Sequence, residues 1–265
     1  MGAILGHVSL NNKPVDENLF RSRFRKIRPF GAVNSSLIIK NVAGYGCHDL
    51  GLGGAALKPL QEGPFYIVAD AFLYARKDLA KALRLSPSAH SDTSLILKAF
   101  YRWGERCLNH LCGDFAFAIH NIDEKTIFLA RDHIGSRPLY WSERNGLILF
   151  SSYIDGIVGF EDLSWSINEE RVSRWLGNPN EIRPETFFDG IKAVESGHWV
   201  RLRPRRVEVS RWWDPESLTK QWGISPKDAV EEVLHLTRRA VRVRLPSKRP
   251  KKPLILYWSR ASVLV

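Results

Sequence analysis

Few residues in this chain have the type and spacing to do chemistry. The three cysteines, Cys47, Cys107 and Cys112, form no metal-ligand spacing, and no other cluster in the sequence points to a metal. Cys47 lies in a core-like segment, where a lone thiol belongs to packing more than to catalysis. Asp92 stands where a helical pattern begins, in "SDTSLILKAFYRWG". The loop "ARDHIGSRPLYW" keeps Arg131, Asp132 and Arg137 beside Pro138, Leu139 and Tyr140. The N-terminal "MGAILG" resembles the start of a myristoylation site, but that pattern wants Ser or Thr where this chain has Gly6.

The net charge of +11 is concentrated in two places. Residues 201–211 hold five arginines against Glu208, and residues 238–252 hold eight Lys or Arg and no acid. Such a field could meet phosphate, RNA or an acidic partner. No aromatic platform or nucleic-acid motif accompanies the charge, so a solvated helix end and a linker are the expected reading and nucleic acid is not the expected partner.

These residues must be positioned by a soluble globular body. The chain has 265 residues, 44% of them hydrophobic and 25% charged, which suffices for a self-sustaining core. No apolar run approaches the roughly 20 residues needed to span a bilayer. Nothing at the N-terminus reads as a secretory signal, so a reducing cytoplasm is the expected compartment and no membrane is expected.

Periodicity supplies the elements. In "GDFAFAIHN" Phe115, Phe117 and Ile119 alternate with Ala116, Ala118 and His120, the period of a strand with one bulky and one small face. "NIDEK" makes the turn, "TIFLARD" is the partner strand, and "GLILFSS" at 146–152 is expected to continue an antiparallel meander. Ser91 is a predicted N-cap and Gly104 a predicted stop for a helix with Ile96, Ala99, Phe100 and Trp103 on one face. "INEERVSRWLG" repeats the device, with Val172, Trp175 and Leu176 as its apolar face. "SPKDAVEEVLHLTRRAV" opens with Ser225, Pro226 and Asp228, a capping-box start. A hairpin over 196–215 is expected to lead out of the first domain, giving an α+β body over 1–214 and a second unit over 215–265.

The block "GDFAFAIHN…FLARDHIGSRPLYW" closely resembles the stretch L-x-G-x-F-A-F-A-I-W-D … L-F-L-A-R-D-x-x-G-x-[RK]-P-L-Y-Y of asparagine synthetases. The flanking "SDTSLILKAFYRWGERCLNHL", "LILFSSYIDGIV" and "FFDGIKAVESGHWVRLRPRRVEVSRWWDP" follow the family in order, and the likeness is weakest over residues 1–65. The resemblance implies an N-terminal class II glutamine amidotransferase-like domain with the N-terminal-nucleophile fold. That fold is a four-layer αββα sandwich of antiparallel sheets, here followed by a truncated start of an α/β synthetase domain.

In that family a cysteine at the mature N-terminus attacks the amide of glutamine, activated by its own α-amine, and releases ammonia. Here Gly2 occupies the nucleophile position, so no catalytic residue is expected. The family's carboxylate-clamping arginine has no counterpart in "GCHDLGLGG" at 46–54. The oxyanion donors of N-G-E-[IL]-Y-N-x-R-x-x-L are replaced in "ADAFLYARKDL" by Ala69 and Asp70, which removes a donor and adds a negative charge. Asp92 survives where the family binds the glutamine α-amine, and it serves equally well as an acid at a helix N-terminus.

The synthetase motif S-G-G-x-D-S, whose glycines let backbone N–H groups approach a pyrophosphate, is replaced after the expected strand "PLILY" by "WSRASVLV", with Trp258 and Arg260. No cofactor is therefore expected for this chain, although ATP and Mg are implied for full-length members. The expected function is an asparagine synthase-related protein without glutaminase activity, similar to the Cys-less β-lactam synthetases and lasso-peptide cyclases. Its implied partner is a separate synthetase chain or a peptide-modifying enzyme. A decayed primary asparagine synthetase and a non-catalytic scaffold or basic nucleic-acid-binding module are the alternatives.

Overall fold

The computed structural model describes residues 2–51, 57–86, 90–160, 163–218, 223 and 225–244. It divides into two compact units, Met1–Lys220 and Gln221–Val265. Among the described residues, the first unit holds two six-stranded sheets in which each reported pairing is antiparallel.

The first sheet runs in the order β10 (Lys192–Ala193), β8 (Tyr140–Arg144), β9 (Leu147–Ser151), β1 (Ala3–Ser9), β3 (Ala43–Asp49), β2 (Asn34–Lys40). The second runs β12 (Arg206–Arg211), β11 (His198–Arg203), β7 (Thr126–Arg131), β6 (Gly113–Asn121), β5 (Phe65–Leu73), β4 (Leu60–Glu62).

Strand alternation makes three separate cores. Ile4 and Val8 of β1, Tyr45 and Cys47 of β3, Val68 of β5, Ala116 and Ala118 of β6, and Leu129 of β7 meet between the sheets. Ala3 and Leu5 point the other way, under Phe20 and Phe24 of α1 (Glu17–Lys26) and Ile157 of α4 (Asp155–Val158). Phe115, Phe117 and Ile119 lie under α2 (Arg76–Leu83) and α3 (Asp92–Trp103). The bulky face of β6 thus meets the helical layer, and its alanines let the other sheet approach. A helix standing on a sheet leaves more depth to fill than a second sheet carrying Tyr45 and Phe150 of its own.

The local turn chemistry is as the sequence predicts. Ser91 Oγ accepts the N–H of Ser94, and α3 stops at Gly104 with φ +58°. Asn168 caps α5 (Glu169–Gly177). In the second unit Ser225 caps α6 (Pro226–Arg244), its hydroxyl also donating to Asp228 at 2.8 Å.

Two expectations are corrected. The third strand of the supposed meander, β9, does not continue the β6–β7 sheet; it crosses to the first sheet between β8 and β1. The loop 132–139 spans the two layers, and Leu139 is already in the inter-sheet core. The apolar stripe of α5 is not buried: Trp175 is 43% and Leu176 71% exposed. The expected strand at 253–257 and the loop with Trp258 and Arg260 lie outside the described residues.

His120 belongs to the small face of β6, and its Nδ1 shares a hydrogen bond with the Tyr45 hydroxyl across the inter-sheet core. Burial lowers its pKa from 6.5 to about 4, so it is neutral in the folded chain. Its contribution to stability is complete above pH 6.5 and is lost as the pH falls to about 4, where the unfolded chain alone takes the proton. The loss amounts to about 3 kcal/mol, and urea titrations should show that part of the acid dependence missing in His120→Phe. Phe117→Ala, in the helix-facing core, should lower stability by about 3–5 kcal/mol in the same measurement.

Candidate functional site

The head of β1, the end of β3 and the middle of β5 converge at one end of the inter-sheet space. Asp70 has the parity of Tyr66 and Val68 on β5, so its side chain faces the first sheet, where it is 2% exposed. Its Oδ1 accepts the N–H of Gly2 at 3.2 Å, and its Oδ2 lies 3.6 Å from Arg137 Nη1. The negative charge expected from the sequence at this position is therefore compensated by Arg137, itself 7% exposed. Burial still raises the Asp70 pKa, outweighing Arg137 and the Gly2 N–H, which pull it down.

Arg137 is positioned by the loop that carries it. Asp132, 1% exposed, accepts backbone N–H groups from Phe115, Ile134, Ser136 and Arg137 on its two oxygens. Arg131 donates to the carbonyls of Arg137, Gly135 and Val194 at 2.6, 2.7 and 2.8 Å. Both backbone groups of Arg137 are thus held by the preceding Arg-Asp pair. Gly135 completes the bend: its φ is +70°, and a Cβ there would stand 2.4 Å from Ser196 Oγ and 2.9 Å from Arg131 Cζ.

Gly2 is closed in. A Cβ at this position would lie 2.6 Å from the His48 carbonyl oxygen and 2.8 Å from Asp70 Oδ1. The first of these contacts is backbone in the middle of a sheet and cannot turn aside. The position therefore lacks a nucleophile and also the space for one.

The neighbouring candidates are equally committed. Cys47 is fully buried, its thiol donates to the Ala69 carbonyl at 3.4 Å, and its pKa is pushed well up by burial, then by Asp70 and Asp49. It is not a replacement nucleophile. Ala69 presents its methyl to the helix-facing core and its carbonyl to Cys47, so it offers no donor to an oxyanion. Asp49 accepts the N–H groups of Gly51 and Leu57. Residues 52–54 of the segment expected to replace the arginine clamp lie outside the described residues.

Asp92, 2% exposed, accepts the Leu73 N–H at 2.9 Å and pairs with Arg76 Nη1 at 3.0 Å. Burial raises its pKa against both partners. It ties α3 to the end of β5 and to α2. Sequence reasoning singled out Arg137 without its partner Asp70 and missed Arg76, because each pair joins residues on different elements.

Among the described residues no group of His, Cys, Asp and Glu is arranged to hold a metal ion, and no helix is long and apolar enough to cross a membrane. The architecture matches that of glutamine phosphoribosylpyrophosphate amidotransferase from Bacillus subtilis, with a TM-score of 0.56 at 11% identity over 80% of this chain and 49% of that one. A glutamine amidotransferase domain family matches residues 1–213.

The chain belongs to the glutamine amidotransferase domain family. Within it the chain is similar to asparagine synthetases and to fungal amidases. It is 30% identical over 190 residues to asparagine synthetase [glutamine-hydrolyzing] 3 of Bacillus subtilis (strain 168), covering 70% of this chain and 31% of that protein. It is 27% identical over 211 residues to the amidase chyE of Penicillium rubens, covering 76% of this chain and 30% of that one. The chain spans about a third of the length of these curated relatives. A glutamine amidotransferase-type sandwich is thus present with a hemmed-in glycine at position 2.

Two consequences are measurable. Gly2→Ala should destabilise the fold by about 1–3 kcal/mol, because the new methyl meets a sheet carbonyl and a buried carboxylate. Of the three thiols, only exposed Cys112 should react quickly with a thiol reagent in the native state, with buried Cys47 and Cys107 appearing on denaturation.

Proposed function

We propose that this domain has given up glutamine hydrolysis and acts as the non-catalytic amidotransferase-like half of an ATP-dependent, amide-forming synthetase. The observation that carries the reading is the absence of room for any side chain at position 2, with Asp70 and Arg137 filling the neighbouring space. Ammonia has no role in a ligation whose nucleophile is an internal amine, so an enzyme of the kind that forms β-lactams or closes lasso peptides loses nothing when the nucleophile goes. In this reading ATP and Mg are held by a synthetase half, on the same or a separate chain, and the setting is the cytoplasm. The basic hairpin lends no support to nucleic-acid binding. Arg201, Arg203 and Arg206 all lie within ion-pair distance of Glu208 and are engaged within the hairpin, although that single carboxylate offsets only one of its five arginine charges.

The purified chain should release no glutamate from glutamine, and Gly2→Cys should not restore the reaction. A restored thiol would lack its space, and the side-chain oxyanion donor replaced at Ala69 is of the kind whose loss alone costs on the order of 100- to 1,000-fold in rate. Glutamate production by both proteins decides this, with mass spectrometry establishing the state of the N-terminus. Turnover by the wild type, or robust turnover by the variant, would overturn the reading.

A further inference from the structure

A groove of about 320 Å3 opens on the outer face of the second sheet, on the side away from the Asp70 carboxylate. It lies between the C-terminal turn of α3 and strands β6, β7 and β11. Its floor is aromatic. Phe65 meets Phe100 and Tyr101 edge-on at 5.9 and 4.8 Å, and Phe100 leans on Phe128 at 5.2 Å. Phe65 and Phe100 are only partly buried, although they pack against the helix-facing core. A concave aromatic surface left open beside a few convergent polar groups is the usual character of a small-molecule site. The mouth is kept clear at Gly104, where a Cβ would meet nothing within 4 Å.

Charge is gathered at one end of the groove, where the β6–β7 and β11–β12 turns lie side by side in the sheet. Arg203 uses one Nη on Glu208 at 3.0 Å, and Glu124 accepts from the Thr126 hydroxyl at 3.1 Å. Arg201 lies over the rings of Phe128 and Trp199, at 5.9 and 5.1 Å, and is held there by Glu105 and Glu208. The charged groups that line the groove are therefore Arg201, Arg203 and Glu124, with both arginines already engaged by Glu208 and Arg201 also by Glu105. A simple anion gains little from arginines so engaged and set beside a carboxylate. A ligand carrying one charge of each sign next to a ring matches the groove.

We propose that this groove binds a free α-amino acid with a planar aromatic side chain. The ring lies on Phe65, Phe100 and Phe128, the carboxylate meets Arg203, and the ammonium meets Glu124. The site is independent of the Gly2 chemistry and of the reading of the domain as a non-glutaminase.

Calorimetric titration of the full chain tests this. L-phenylalanine or L-tryptophan should bind with a Kd of about 0.1–1 mM. Phenylacetate, phenethylamine and L-alanine, which lack the ammonium, the carboxylate and the ring, should each bind about tenfold more weakly or not at all. Arg203→Gln and Glu124→Gln, at solvent-reached positions, should each weaken phenylalanine binding about tenfold while leaving the melting temperature unchanged. Saturation-transfer NMR on the wild type should show the ring protons in closest contact, a readout that stands even if a variant melts early. Failure of the wild type to bind either amino acid at about 10 mM would overturn the proposal. So would phenylacetate binding as tightly as phenylalanine, or unchanged affinity in both variants.

Discussion

Asp132 holds the two halves of the sandwich in register. One buried carboxylate accepts four backbone N–H groups, from β6 and from the loop that leaves β7, so the chain must turn away from one sheet at that point. The Arg131 guanidinium gathers three carbonyls from the same loop and from Val194. Donors and acceptors that the crossing would otherwise leave unpaired in the interior are thus satisfied by two adjacent side chains. The loop delivers Leu139 to the inter-sheet core, β8 to the first sheet, and Arg137 to Asp70.

The corner around Gly2, Asp70 and Arg137 is a packing device built on that same loop. A buried carboxylate is costly unless it is paired and hydrogen-bonded, and Asp70 finds both a guanidinium and the Gly2 amide. The raised Asp70 pKa shows that this compensation is incomplete. Gly2 fits because it brings its N–H to the carboxylate and no Cβ to the His48 carbonyl. Asp92 follows the same logic one strand end away, where Arg76 and the Leu73 amide compensate its buried charge.

The basic hairpin shows how a charge count misleads when read along the chain alone. Arg201 and Arg203 point outward on β11 because Val200 and Leu202 between them are in the core, and Glu208 on the paired strand meets both. Cross-strand pairing converts a run of like charge into an ion-pair cluster. It also engages both arginines that line the aromatic groove beside it.

Much was legible from the residues. The alternation of Phe115, Phe117 and Ile119, the caps at Ser91, Asn168 and Ser225, the stop at Gly104 and the hairpin after 196 are local, set by propensity and period over a few residues. The absence of a side chain at position 2 was equally plain, since a glycine needs no fold to be noticed. The tertiary structure decided what depends on contacts across the chain. It sent β9 to the other sheet and turned the bulky face of β6 to the helices. It also paired Asp70 with Arg137 across 67 positions and Asp92 with Arg76. Periodicity says which residues share a face but not what that face meets, and a buried charge is recognised as compensated only when its partner has been brought to it.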